Sequence, residues 1–115
     1  MRAEVTVKEN RDFRRIYRRG ASAVGPCLVV YCQKNRQGRS RLGVTVSTKV
    51  GKAVVRNRVR RRVRELYRLH KDAMRPGYDI IVVARVRSAA APYRRLEKEY
   101  EAALEKLQLL REVQP

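Results

Sequence analysis

Between Lys49 and Lys71 the chain carries ten lysines and arginines and a single acid, Glu65. Like charges four residues apart repel, and a basic helix face that meets only water is normally relieved by interspersed acids. A run this unrelieved predicts a polyanionic ligand. Within it Val55, Val59, Val63, Leu66, Tyr67 and His70 keep to one side of a helix. Asn57, Arg61, Arg64 and Arg68 line up on the opposite side, flanked by Arg58 and Arg60. Lys49, Gly51 and Lys52 stand just before the helix start, where free backbone N–H groups and the helix dipole also attract phosphate.

A second constellation sets rings beside charge. Phe13 and Tyr17 lie four residues apart among Arg11, Arg14, Arg15, Arg18 and Arg19, and Tyr31 lies within an apolar run. Bases stack on rings while guanidinium groups hold phosphates, which is what an unpaired nucleic-acid strand requires. The same rings serve equally well as core, and the pattern alone leaves both readings open.

Nothing in the residues predicts bond-breaking by the chain itself. No serine or cysteine has a histidine partner within a motif. Gly51-Lys52 lacks the upstream glycine and following Ser/Thr of a phosphate-binding loop. His70 sits alone on an apolar helix face, as packed histidines do, and forms no zinc set. Glu97, Glu99, Glu101 and Glu105 alternate with Arg94, Arg95, Lys98 and Lys106 as ordinary surface pairs. No catalytic residue and no metal ligand is therefore expected.

The elements that must position these groups follow from periodicity. Thr6 to Glu9 has capping-box spacing, with Asn10 as a rival cap, and a first short helix runs from there to Arg19, stopped by Gly20. Cys27 to Cys32 and Arg41 to Ser47 read as strands joined across a polar, glycine-containing segment, which suggests a hairpin. The basic helix follows, then Pro76-Gly77 and a buried strand from Tyr78 to Val86. A last helix starts near Pro92 and buries Leu96, Tyr100, Ala103, Leu104 and Leu107. The order α-β-β-α-β-α predicts an α/β (α+β) sandwich of helices on a mainly antiparallel sheet. The strand–helix–strand unit around the basic helix is a candidate βαβ crossover, right-handed by the general rule.

Composition agrees. The 115 residues fit one domain, 1–115, with a net charge of +18 and 22 arginines against 7 lysines. Arginine's planar fork pairs with phosphate and stacks on bases, so the bias favours nucleic acid over a merely solvated surface. No apolar run approaches the ~20 residues that span a membrane, and Met1-Arg2-Ala3-Glu4 lacks a signal-peptide core. A cytoplasmic protein is expected. If Cys27 and Cys32 share a strand, their odd spacing puts them on opposite faces, unable to bridge, as two small buried hydrophobes.

The stretch Arg41-Leu42-Gly43-Val44-Thr45-Val46-Ser47-Thr48-Lys49, continuing through Val50-Gly51-Lys52 to Arg56-Asn57-Arg58, Arg60, Arg61, Arg64 and Glu65, strongly resembles the bacterial ribonuclease P protein family. Asp12-Phe13, Tyr17 and Gly20 upstream, and Asp79 to Arg85 downstream, extend the resemblance over nearly the whole chain. It implies a fold like the second domain of ribosomal protein S5, about four strands with three helices and a left-handed βαβ crossover. It implies that the ribonuclease P RNA binds Lys52, Arg56, Asn57, Arg58, Arg60, Arg61, Arg64 and Arg68. It implies that Phe13, Tyr17, Tyr31, Lys49 and Arg85 line a cleft for the 5′ leader of precursor tRNA. Cleavage would then belong to the catalytic RNA and its Mg2+ ions. Two departures stand out. Thr48 replaces the family's usual lysine, and Val5-Thr6-Val7 replaces its basic arm and Arg-Leu pair. The rival readings are a ribosomal or other structural RNA-binding protein on the same fold, a DNA-binding protein and a stand-alone nuclease. No helix-turn-helix precedes the basic helix, so no DNA partner is expected.

Overall fold

The computed structural model describes residues 6–111. Helix α1 (Asn10–Arg19) is followed by strands β1 (Ala21–Val24), β2 (Leu28–Lys34) and β3 (Arg41–Val46). Helix α2 (Ala53–His70), strand β4 (Tyr78–Ala84) and helix α3 (Tyr93–Lys106) complete the chain. Short 3-10 turns occupy Thr48–Val50, Lys71–Ala73 and Val86–Ala89. The four strands form one sheet in the order β1-β2-β4-β3, with β3 parallel to β4 and the other pairs antiparallel. Helix α2 thus connects two adjacent parallel strands, a βαβ unit.

Pleating sorts the strands into two faces. Leu28, Val30 and Cys32 of β2, Leu42 and Val46 of β3, and Ile80, Val82 and Ala84 of β4 point into one core. There they meet Val59, Val63, Leu66 and Tyr67 of α2 and Leu96, Tyr100 and Leu104 of α3. Ile81 points the other way and, with Val7 and Ile16, makes a smaller cluster against which Phe13, Tyr31 and Val83 pack. Helix α1 covers only part of that second face. Val29, Tyr31, Thr45 and Val83 on it stay half-buried, so a strip of the face beside α1 is open to solvent, and this strip is the groove of the candidate site.

Four expectations are corrected. The β2–β3 hairpin does not form, because β4 lies between them and pairs with both. Tyr78–Ala84 is buried on both faces over most of its length, and only a central position satisfies such a strand. The hairpin partner of β2 is β1, an extra strand that buries Ala23 alone and so shows no alternation in sequence. The Thr6–Glu9 capping box is also absent. Glu9 caps α1 without a side-chain bond, and Asn10, the rival cap, is the first helical residue. Thr6 instead bridges to Leu42, and Val7 N–H donates to Leu42 C=O at 3.0 Å. The unpaired backbone of edge strand β3 claims this segment. Finally, Cys27 precedes β2, so both thiols reach the same core. Burial pushes both up from their ordinary pKa. Residues 1–5, including Val5 and the amino-terminal Met1-Arg2-Ala3-Glu4, lie outside the described region.

Candidate RNA interface

Helix α2 is held by its apolar side, so its charge has to point outward. Asn57, Arg61, Arg64 and Arg68 are exposed, as their spacing predicts, and Arg56, Arg58 and Arg60 are half-buried. Arg61 and Arg64 bond to no described residue, whereas Arg68 Nη2 pairs with Glu65 at 2.6 Å. Other arginines of the helix are committed to the fold. Arg58 Nη2 donates to Ala89 C=O at 3.2 Å and Arg62 Nη1 to Ala91 C=O at 3.1 Å, so the two pin the connection from β4 into α3. Arg56 Nε donates to Gly51 C=O at 3.1 Å and Arg60 Nη1 to Asn57 at 3.2 Å. Arg62 escapes the sequence reading, since spacing does not reveal that the β4–α3 connection passes beneath it. Lys52 is exposed at the N-cap of α2.

The rings gather on the opposite face of the sheet. Phe13 and Tyr17, one turn apart on α1, have centroids 6.2 Å apart, and Tyr17 meets Tyr31 of β2 edge-on at 4.8 Å. The Tyr17 hydroxyl lies 3.3 Å from the Thr45 hydroxyl on β3, so the ring spans the sheet. Tyr17 remains 38% exposed, which leaves it free to stack on something else. Gly43 lets the tip of the Phe13 ring approach the strand closely: a Cβ there would come within 3.0 Å of it. Sequence left these rings open between core and ligand site, and the structure packs Phe13 and Tyr31 on a core cluster while leaving Tyr17 exposed. One side of the trio rests on the Ile81 cluster and the other faces the groove.

Lys49 and Arg85 stand beyond one end of this groove. Val46 pairs with Ala84 at the last row of the parallel ladder, and the Thr48–Val50 turn packs on the Val86–Ala89 turn. Both side chains are exposed, although Arg85 Nη1 also donates to Gly25 C=O at 3.1 Å. At the outer edge of β3, Arg64 borders a cavity of about 230 Å3 shared with Phe13, Val7 and Gly43. Arg64 is where the helix surface and the ring surface meet.

Beneath the amino-terminal half of α1 lies a group that sequence reading missed. Asp79 is fully buried, and its carboxylate accepts from Arg41 Nε and Nη2 at 2.8 and 2.7 Å, from Arg15 Nη2 at 3.0 Å and from Asn35 Nδ2 at 2.9 Å. Burial alone would raise its pKa. The bonds from Arg41 and Asn35 and the charges of Arg41 and Arg15 outweigh that and hold it below the usual carboxylate range. A signal was present in the sequence: an aspartate inside a strand buried on both faces must have charged partners.

An RNA-binding α+β protein is the class this arrangement defines, with phosphate-seeking arginines on one side of the sheet and a ring-floored groove on the other. The chain belongs to the ribonuclease P protein family, whose model, described as Ribonuclease P, matches residues 1–108. A "Ribonuclease P protein component" of Clostridioides difficile is 47% identical over 93 residues, 80% of this chain and 82% of that protein. The solved ribonuclease P protein of Staphylococcus aureus superposes with a TM-score of 0.85 at 34% identity, covering 95% of this chain and 100% of that one. That of Thermotoga maritima gives 0.76 at 32% identity, over 90% and 94%.

Proposed function

We propose that the chain acts in the cytoplasm as the non-catalytic protein subunit of ribonuclease P, helping the catalytic RNA cut the 5′ leader from precursor tRNA. Lys52, Arg56, Asn57, Arg58, Arg60, Arg61, Arg64 and Arg68 hold the RNA subunit. Phe13, Tyr17, Tyr31, Lys49 and Arg85 hold the leader. The observation that carries this reading is the ring trio facing an open groove, with cations at its end, on the sheet face opposite the arginine stripe. A structural RNA binder needs the stripe; only a protein that reads an unpaired strand needs the groove as well.

Mg2+ supplies Lewis-acid and water-activating chemistry in a ribozyme site of this kind. The described residues contain no group of three or more His, Cys, Asp or Glu able to hold it, and Asp79 is saturated by arginine. In this reading the RNA and its substrate supply the ligands. What the protein contributes is phosphate neutralisation, which lowers the ion concentration at which the complex assembles.

The test is reconstitution with a bacterial ribonuclease P RNA. Adding the protein should lower the magnesium concentration at which precursor tRNA is cleaved, and the protein without RNA should not cleave it at a comparable rate. Comparable cleavage by the RNA-free protein would overturn the reading.

The arginine stripe separates by role. Arg61→Ala and Arg64→Ala should weaken binding to the RNA subunit. Each lost phosphate contact should flatten the log-affinity against log-salt slope by about 0.7 to 0.9. Their melting temperatures should barely change. Arg58→Ala should weaken binding and also lower the melting temperature, because Ala89 C=O loses its donor. Salt titrations beside thermal melts check both, and an unaltered slope for Arg61→Ala with Arg64→Ala would show that the stripe is not the contact.

A further inference from the structure

Two acids lie under the helix that carries the leader-facing rings, in a protein of net charge +18. Asp12 belongs to α1 itself and Asp79 to the strand beneath it. On charge alone, acids so close to an RNA surface weaken binding. Their geometry gives them another task.

Helix α1 has a small apolar footing. Ile16 is its one buried residue, and five of its ten residues are arginines that repel one another and the rest of the chain. Beside Ile16 and the Phe13 ring, the polar hold on the sheet comes from Arg15, whose three nitrogens are all engaged. Nε donates to Gln33 at 2.9 Å, Nη1 to Asp12 at 2.9 Å and Nη2 to Asp79 at 3.0 Å. Arg41 closes the circuit from the other side, gripping Asp79 with two nitrogens and reaching Asp12 with Nη1 at 3.5 Å. Gln33, Asp79 and Arg41 are direct neighbours across β2, β4 and β3. They form one row of the sheet. The next row on the same face is Tyr31, Ile81 and Gly43, which is the floor under Phe13 and Tyr17.

We propose that Asp12, Arg15, Arg41 and Asp79 form a latch that seats α1 on the sheet, and that this seating makes them positioning residues for the unpaired leader strand of the RNA substrate. Arg15 lies two residues from both Phe13 and Tyr17, so its bonds to β2 and β4, braced by Asp12 on its own helix, fix how far α1 slides and how it is turned. That in turn sets the spacing of the rings. The inference rests on the leader reading above and adds residues that touch no leader nucleotide themselves.

Charge and latch predict opposite signs for one substitution. Asp12→Asn removes a negative charge, so simple electrostatics predicts tighter binding of every RNA. The latch predicts that the holoenzyme reconstituted with ribonuclease P RNA binds leader-bearing precursor more weakly. The expected loss is about five-fold or more, from losing charge-assisted bonds that fix the helix. Affinities for mature tRNA and for the RNA subunit should stay at parental values. Asp12→Glu, which keeps the carboxylate, should recover part of the loss. In the free variant, Tyr17 and Tyr31 ring-proton shifts should move away from the edge-on pattern while core methyl signals stay in place. This readout needs no RNA and serves if the variant is too weak to assay.

Unchanged or tighter precursor binding, with ring shifts unmoved, would overturn the latch. Tyr31→Ala run in parallel separates the two proposals. If it loses precursor selectively while Asp12→Asn does not, the latch alone fails. If neither variant distinguishes precursor from mature tRNA, the leader reading fails and the latch with it.

Discussion

Replacing Tyr31 by alanine should weaken the holoenzyme's binding of leader-bearing precursor tRNA by about five-fold or more, and leave mature tRNA unaffected. A base stacked fully on an aromatic side chain contributes about 1–3 kcal/mol, and each 1.4 kcal/mol is about ten-fold in affinity. Tyr31 is the most informative of the three rings. Phe13 packs on the Ile81 cluster, as Tyr31 does, and also presses on Gly43 of β3 beside Val7, so its removal disturbs more of the packing. Tyr17 carries a hydroxyl contact to Thr45. Tyr31 comes from the sheet, and its loss takes away the surface that Tyr17 meets edge-on at 4.8 Å. Affinities for precursor and mature tRNA, measured beside a thermal melt, decide the matter. Equal losses for the two RNAs in a folded variant would show that the rings do not read the leader.

Asp79→Ala should have the largest effect on stability, about 3–5 kcal/mol, as when one partner of a buried ion pair is removed. Arg41, with 15% of its side chain exposed, would keep only the 3.5 Å contact to Asp12, the one carboxylate left between it and Arg15, and Asn35 Nδ2 would lose one acceptor. Urea unfolding should show a lower midpoint with an unchanged slope, the mark of lost stability rather than altered compactness. The same carboxylate gives stability an acid limit. Burial disfavours its charged form, but Arg41 and Asn35 by hydrogen bonds, and Arg41 and Arg15 by charge, hold its pKa below the ordinary value. Asp12 is the other acid facing these arginines. A lowered folded-state pKa means the contribution is fully present above the unfolded value of about 3.9 and disappears as pH falls through the folded one. Stability of the parent should therefore drop steeply below about pH 4. In Asp79→Ala that drop should be shallower. Glu99 leaves a residue of it, since its carboxylate is lowered by the Cys27 and Leu28 N–H groups and Arg95, against a burial effect that raises it. A midpoint that tracked the parent's at every pH would show the buried carboxylate to be incidental.

How much of this the sequence determined depends on the range of the interaction. Helix α2 was legible in full, because its apolar and basic stripes are set by a local period of 3.6 and by charge that no neighbouring acid relieves. The other two helices were legible from the same period, the strands β2, β3 and β4 from apolar runs or alternation, and Gly20 as the stop of α1, where a Cβ would come within 2.6 Å of two carbonyl oxygens. Which strands pair was not legible. Pairing is decided by burial across the whole sheet, and the doubly buried β4 takes the centre between β2 and β3 although it is last in sequence. Strand β1 was invisible because its partner, not its pattern, makes it a strand. The site divides in the same way. Charge announced a polyanion, and the motif order from Arg41 to Arg64 pointed to the family. Only the tertiary structure decided that Phe13, Tyr17 and Tyr31 share one groove and that Arg58 and Arg62 also hold backbone carbonyls. It alone shows Asp12, Arg15, Arg41 and Asp79 converging from one helix and two strands. Those groups lie 3 to 67 residues apart along the chain. No local period links them, and a buried carboxylate chooses its partners from whatever the packed sheet brings within reach.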